Sequence, residues 1–191
     1  MKLTLCSVFA IAVVISFSAC NSTTQSDTSK NVSESETNVV DSLTILNNML
    51  IIDSLNDQVR VRLATKYYIG KDFDKAIFHF LKVYTHDNKN MIALLTLGNL
   101  YYDTQEDKKA IIYYQKYLAL DSTAIYARCD MATCYLNIKQ PDQAKKFLLQ
   151  NLRQDPNHIQ SHHNLSVVYK ELGMIKEANA EMEIFTELSS K

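Results

Sequence analysis

The residues best spaced for chemistry are His158, His162 and His163. His158 and His162 stand four apart, which puts two imidazoles on one face of a helix, and imidazole is a common zinc ligand. A metal-dependent hydrolase would also need further ligands and an open position for water. No cysteine or carboxylate cluster lies near these histidines in the sequence. The spacing therefore reads as a turn at His158 and a packing place at His162, and no acid–base partner orients either ring. Cys129 and Cys134 are five apart. On a helix that separates them by about 140°, too far for a disulfide, so both read as free thiols, with Cys134 as core packing. No glycine-rich phosphate loop and no Ser/His/Asp grouping occurs. No catalytic residue, metal ligand or cofactor is assigned.

What must position any working surface is a repeat. "RLATKYYIGKDFDKA" (62–76), "TLGNLYYDTQEDKKA" (96–110), "DMATCYLNIKQPDQA" (130–144) and "NLSVVYKELGMIKEA" (164–178) follow one another at a spacing of 34 residues. Counting from Asp57, Met91, Ile125 and Ile159, place 8 is always small: Ala64, Gly98, Ala132, Ser166. Place 11 is Tyr67, Tyr101, Tyr135 and Tyr169, and place 20 is Ala76, Ala110, Ala144 and Ala178. Place 24 is bulky throughout: Phe80, Tyr114, Leu148, Met182. Places 4, 7, 8 and 11 make one helical stripe, and places 20, 24 and 27 make another. The small residues let two helices approach closely. Each unit is thus a helical hairpin, and a hairpin buries both of its faces only by stacking on copies of itself. With three glycines and two prolines in 191 residues, the composition suits long helices rather than a turn-rich β fold.

The combination of a small residue at place 8, Tyr at 11, Ala at 20, a bulky residue at 24 and proline at 32 (Pro156) resembles the tetratricopeptide repeat family. The resemblance runs from Asp57 to Lys191. It implies an all-α fold: a right-handed α-solenoid of four hairpins, 57–90, 91–124, 125–158 and 159–191. Departures are Arg60, Arg128 and His162 at place 4, where the family is apolar, and Asn88 and Ser122 at place 32. A half-copy in phase, with Leu43, Leu46, Met49, Leu50 and Ile52 at apolar places, reads as an N-terminal capping helix within 39–56. At the other end Asn179, Glu183 and Thr186 make the outward stripe polar, so the array is expected to close there.

The resemblance also implies a concave groove for a protein or peptide partner, lined by the first helices of successive hairpins. Carried over, its lining includes Arg62, Tyr68, Asn99, Tyr102, Tyr126, Asp130, His163 and Asn164. The tyrosines are expected as amphipathic anchors, and Asn99 and Asn164 as hydrogen-bonding groups for an extended backbone. The basic clamp that some members use for a C-terminal carboxylate is disfavoured, because its places hold Val61, Thr96, Tyr126 and Asp130, or Leu95, Asp130, Gln160 and Asn164, and neither set is basic.

The first twenty residues differ from the rest. Lys2, an apolar run from Val8 to Phe17 and small residues before Cys20 make a secretory signal over 1–19. "FSAC" resembles the lipobox of bacterial lipoproteins, with Phe17 where leucine is usual. That resemblance implies cleavage before Cys20 and acylation of Cys20, the membrane contact. Asn21, where an aspartate would signal inner-membrane retention in the enteric pattern, points to the outer membrane, with the folded part in the periplasm. Residues 20–38, rich in Ser, Thr and Asn, read as a disordered tether spanning about 20–25 Å r.m.s.. The net charge is -1, or -2 once Lys2 leaves with the signal. Nothing in that balance favours nucleic acid. The expected function is a membrane-tethered, non-enzymatic interaction adaptor or assembly factor of the bacterial envelope. The alternatives are a metal-dependent hydrolase centred on the histidines and a homo-oligomeric structural spacer.

Overall fold

The computed structural model describes residues 31–191, with side chains from Ser42 onward. The signal reading over 1–19, Cys20 and most of the tether lie outside the described residues. Those described form nine α-helices and no strand. They divide into two compact units, residues 31–83 and 84–191. None of the described helices is long and apolar enough to cross a membrane.

The first helix, α1, runs Asn31–Ile52. It therefore begins inside the stretch read as tether, eight residues ahead of the expected start at Val39. Polar composition suggested disorder, but the segment contains no glycine or proline to stop a helix from continuing towards the N-terminus. Eight helices follow in pairs: α2 (Asp57–Ile69) and α3 (Phe73–His86), α4 (Met91–Asp103) and α5 (Asp107–Leu120), α6 (Ile125–Asn137) and α7 (Pro141–Gln154), α8 (Ile159–Glu171) and α9 (Ile175–Ser189). The first member of each pair starts at place 1 of the period and has 13 residues.

One turn joins each pair. Lys71, Gln105, Lys139 and Gly173, all at place 15, hold φ near +61° to +74°. The following amide donates to the carbonyl of the place-11 tyrosine: Asp72 to Tyr67 at 2.9 Å, Glu106 to Tyr101 at 2.7 Å, Gln140 to Tyr135 at 2.9 Å and Met174 to Tyr169 at 2.9 Å. This is a Schellman closure, in which a left-handed residue just past the helix satisfies its last carbonyls. Only Gly173 takes that conformation without steric cost.

The place-11 ring has a second role. It stacks on the aromatic residue at place 23 of its own hairpin: Tyr67 on His79, Tyr101 on Tyr113 and Tyr135 on Phe147, at 5.7, 5.4 and 5.5 Å between ring centroids. Lys75 and Lys109 cover the tyrosine faces of the first two pairs. In the last hairpin place 23 is Glu181, which turns to His162 instead.

In the 84–191 unit, Ala132, Ala144, Leu148, Leu165 and Val168 form a core with Cys129, and Tyr135, Phe147 and Tyr169 pack around it. Cys129 and Cys134 are free and buried. In the 31–83 unit Leu46 packs with Val59 and Leu63, flanked by Leu43, Leu50 and Tyr67. Met49 and Ile52, read as packing places of the capping helix, are exposed instead.

Candidate functional site

The three first helices of the 84–191 unit carry most of the residues expected to line a groove. Their middle portions are buried and polar. Thr96 and Asn99 on α4, Asp130 and Thr133 on α6, and Asn164 on α8 are all buried. Asn164 Nδ2 donates to Thr133 Oγ1 at 3.1 Å and to Cys129 Sγ at 3.3 Å, and its Oδ1 accepts from Gln160 Nε2 at 2.8 Å. His163 Nδ1 sits 3.2 Å from the same Oδ1, and its ring packs on Phe185. Asn99 Oδ1 accepts from the Tyr114 hydroxyl at 2.8 Å. Both asparagines, expected as hydrogen-bonding groups for a ligand, therefore spend capacity inside the protein. The α6–α8 floor is cross-braced rather than open.

Exposure returns at the two rims. At the N-terminal ends stand Ile92, Tyr126 and Ile159; Tyr126 is 59 % exposed and leans edge-on against His158 at 5.1 Å. At the opposite ends lie Asp103, Asn137 and Glu171, with Lys139 3.8 Å from Glu171. Tyr102 belongs to this rim but is only half-exposed. Burial first, with the carboxylates of Asp107, Asp130 and Asp103 adding to it, pushes its hydroxyl up to about 12. The Cys134 thiol, hydrogen-bonded to Asp107, is pushed up by burial in the same way, so it stays protonated and unreactive. In the 31–83 unit Arg62 is exposed, and Tyr68 is half-buried against Phe73 at 6.1 Å.

The unusual place-4 residues have a common task that sequence reasoning missed. Arg60 Nη2 donates to the Ser54 carbonyl, Arg128 Nη2 to the Ser122 carbonyl and His162 Nε2 to the Pro156 carbonyl at 2.8 Å. Each reaches back six residues to place 32, tying the start of a hairpin to the turn before it. Arg128 also donates to Asn151 Oδ1 at 2.6 Å and to Gln154 Oε1 at 3.3 Å. His162 Nδ1 meets Glu181 Oε2 at 2.6 Å. His158 caps α8, its Nδ1 accepting from the Ser161 amide at 3.3 Å and facing Ser161 Oγ at 2.7 Å. Both candidate metal-ligand histidines are thus engaged in structure. Among the described residues no group of three or more His, Cys, Asp or Glu side chains could hold a metal ion.

The hairpin period, the small residue at place 8 and the Schellman turn at place 15 now stand together. Residues 93–123 and 125–158 match the tetratricopeptide repeat family. The hairpins on either side of these repeats keep the same period and the same turn. No curated protein matches the chain. Among solved structures, the tetratricopeptide-like array is similar to that of MamA, at 18 % identity and a TM-score of 0.76, over 84 % of this chain and 94 % of that one. It is similar to residues 41 to the end of MamA from Desulfovibrio magneticus RS-1, at 16 % identity and a TM-score of 0.75, over 84 % and 93 %. It is also similar to YrrB, a TPR protein with an unusual peptide-binding site, at 20 % identity and a TM-score of 0.74, over 84 % and 83 %. At such identities the likeness establishes the fold, an all-α array of helical hairpins.

Proposed function

We propose that this chain is a non-catalytic adaptor that binds an extended segment of a protein partner along α4, α6 and α8, while Cys20 anchors it to a membrane. The carrying observation is the exposed rim of Ile92, Tyr126 and Ile159 beside a buried polar floor braced by the Asn164–Thr133 hydrogen bond. A large aromatic at 59 % exposure costs little to order and gives much contact area, the profile of an interface anchor. The braced floor keeps the first helices fixed, so a ligand meets a preorganised surface. Tetratricopeptide repeats and the peptide-binding description of YrrB support this reading. The lipobox-like "FSAC" and the polar stretch after it support a lipid-anchored envelope protein, with outer-membrane attachment and a periplasmic array.

Two experiments test the proposal. Tyr126→Ala in the full chain should leave the melting temperature within a few degrees of wild type. It should weaken capture of a partner from detergent-solubilised membranes by about tenfold, as for a truncated anchor. Unchanged capture would remove this rim from the interface. Separately, Cys20→Ala should abolish metabolic labelling by a palmitate analogue and release the chain from membranes; equal labelling would refute the anchor.

A further inference from the structure

We propose that the outer face of α1 is a docking slot for a basic amphipathic helix of another protein, which takes the position that a first helix holds against its second helix in the complete hairpins. α1 has the phase of a second helix, with Ser42 at place 20, Ile45 at 23, Leu46 at 24, Met49 at 27 and Ile52 at 30. Leu43, Leu46 and Leu50 face the Val59–Leu63 cluster. Ile45, Met49 and Ile52, spaced i, i+4 and i+7, form a second apolar stripe, 56 %, 41 % and 87 % exposed. A helix apolar on both faces is normally buried on both. A repeat array normally ends on a polar outer face instead, as the exposed Asn179, Glu183 and Thr186 provide on α9.

The complete hairpins identify what covers these places. At place 23, His79, Tyr113 and Phe147 each stack on a tyrosine of their own first helix. At place 27, Val83 and Asn151 are fully buried and Tyr117 and Phe185 partly so, and Asn151 Nδ2 donates to the Ile125 carbonyl of its own first helix at 3.0 Å. Ile45 and Met49 therefore offer the surface that a first helix covers elsewhere in the chain. In phase, that position falls on residues 23–35, whose only apolar residue is Val32, too little to cover Ile45 and Met49. Charge then selects the occupant. From Asn31 to Asn56 there are four acidic residues, Glu34, Glu36, Asp41 and Asp53, and no basic one. Two copies of α1 would repel each other. α9, which also exposes apolar residues, carries Glu177, Glu181, Glu183 and Glu187 against Lys176 and is a poor match too. A helix with an apolar stripe flanked by lysine or arginine is complementary on both counts.

The test uses a fluorescein-labelled, hydrocarbon-stapled peptide of the α2 sequence, Asp57–Ile69, a first helix carrying Arg60, Arg62 and Lys66 against one aspartate. It is titrated with the full chain and with the Ile45→Asp, Met49→Asp double variant, whose substituted side chains are solvent-exposed and whose melting curve is recorded alongside. The slot predicts saturable binding to the wild-type chain that weakens as salt is raised. Binding should be at least tenfold weaker to the double variant and lost when the peptide's three basic residues are changed to glutamate. Equal binding to both chains would place the peptide elsewhere, for example in exchange with α2 itself, and would overturn the proposal. So would no binding to the wild-type chain. A wild-type dimer in light scattering that the double variant disperses would assign the slot to a second copy and would also overturn it.

Discussion

Gly98 and Tyr114 give the sharpest test of the packing. A Cβ at Gly98 would lie 2.7 Å from Tyr114 Cε1 and 2.8 Å from Cδ1, distances that require something to move. The ring is fully buried, and its hydroxyl is held by Asn99 Oδ1 at 2.8 Å, so it cannot slide without stretching that bond. Helix propensity alone makes Gly98→Ala stabilising by about 1 kcal/mol. Overpacking a rigid site costs about 1–3 kcal/mol, and a strained buried hydrogen bond adds about 1 kcal/mol. The clash should win, leaving the variant about 1–3 kcal/mol less stable. The third hairpin shows the compensated solution, with Ala132 and Leu148 at the same two places. Tyr114→Leu alone should cost about 2–4 kcal/mol, since it removes the ring and leaves Asn99 Oδ1 without its donor. The double variant, which copies the Ala132–Leu148 pair, should cost less than the sum of the two by at least about 1 kcal/mol. Urea denaturation of the four proteins measures the cycle. A higher midpoint for Gly98→Ala, or strict additivity, would refute the close-approach argument.

Further expectations follow from the same geometry. Asn56, Asn90 and His158 cap α2, α4 and α8 through their side chains, whereas Ala124, in the equivalent position before α6, makes no side-chain cap bond. Ala124→Asn should therefore stabilise the protein by about 0.5–1.5 kcal/mol, read as a raised urea midpoint. Arg128→Met strips donors from Ser122 O, Asn151 Oδ1 and Gln154 Oε1 and should destabilise by about 2–4 kcal/mol, with Arg128→Lys recovering little because it cannot span all three. Burial holds the His158 imidazole below its usual value, so below about pH 6.5 the unfolded chain binds this proton more readily than the folded one. Stability should fall as pH drops from that point towards the lower folded value. His158→Asn, which keeps a capping acceptor and does not titrate, should flatten that part of the melting-temperature profile.

The parts of this fold that were legible in the sequence are those carried by residue identity at a fixed period. The small residue at place 8, the bulky residue at place 24 and the Tyr at place 11 recur in every copy, so repetition alone exposed them. The stacking partner at place 23 escaped notice because it changes from His79 to Tyr113 to Phe147, and a ring is preserved rather than a residue. The role of Arg60, Arg128 and His162 was hidden for a related reason. An apolar-stripe template registers them as exceptions, while their bonds to carbonyls six residues back depend on chain path and not on pattern. Asn99 and Asn164 were read as ligand groups because place alone does not reveal Tyr114 or Thr133 as competing partners. The start of α1 was misplaced because composition measures what a segment can bury, and helix continuation also depends on the absence of breakers.

Site-specific photo-crosslinking tests the adaptor reading most directly. A benzoylphenylalanine at position 126 on the rim of α6, and another at position 112 on α5, where Ile112 is 48 % exposed, would be activated in the full chain in its native membrane. Position 126 should cross-link to a discrete partner protein, at a yield that Ile92→Asp reduces, and position 112 should not. Cross-links from position 112 alone, or none from position 126, would contradict a partner bound along α4, α6 and α8.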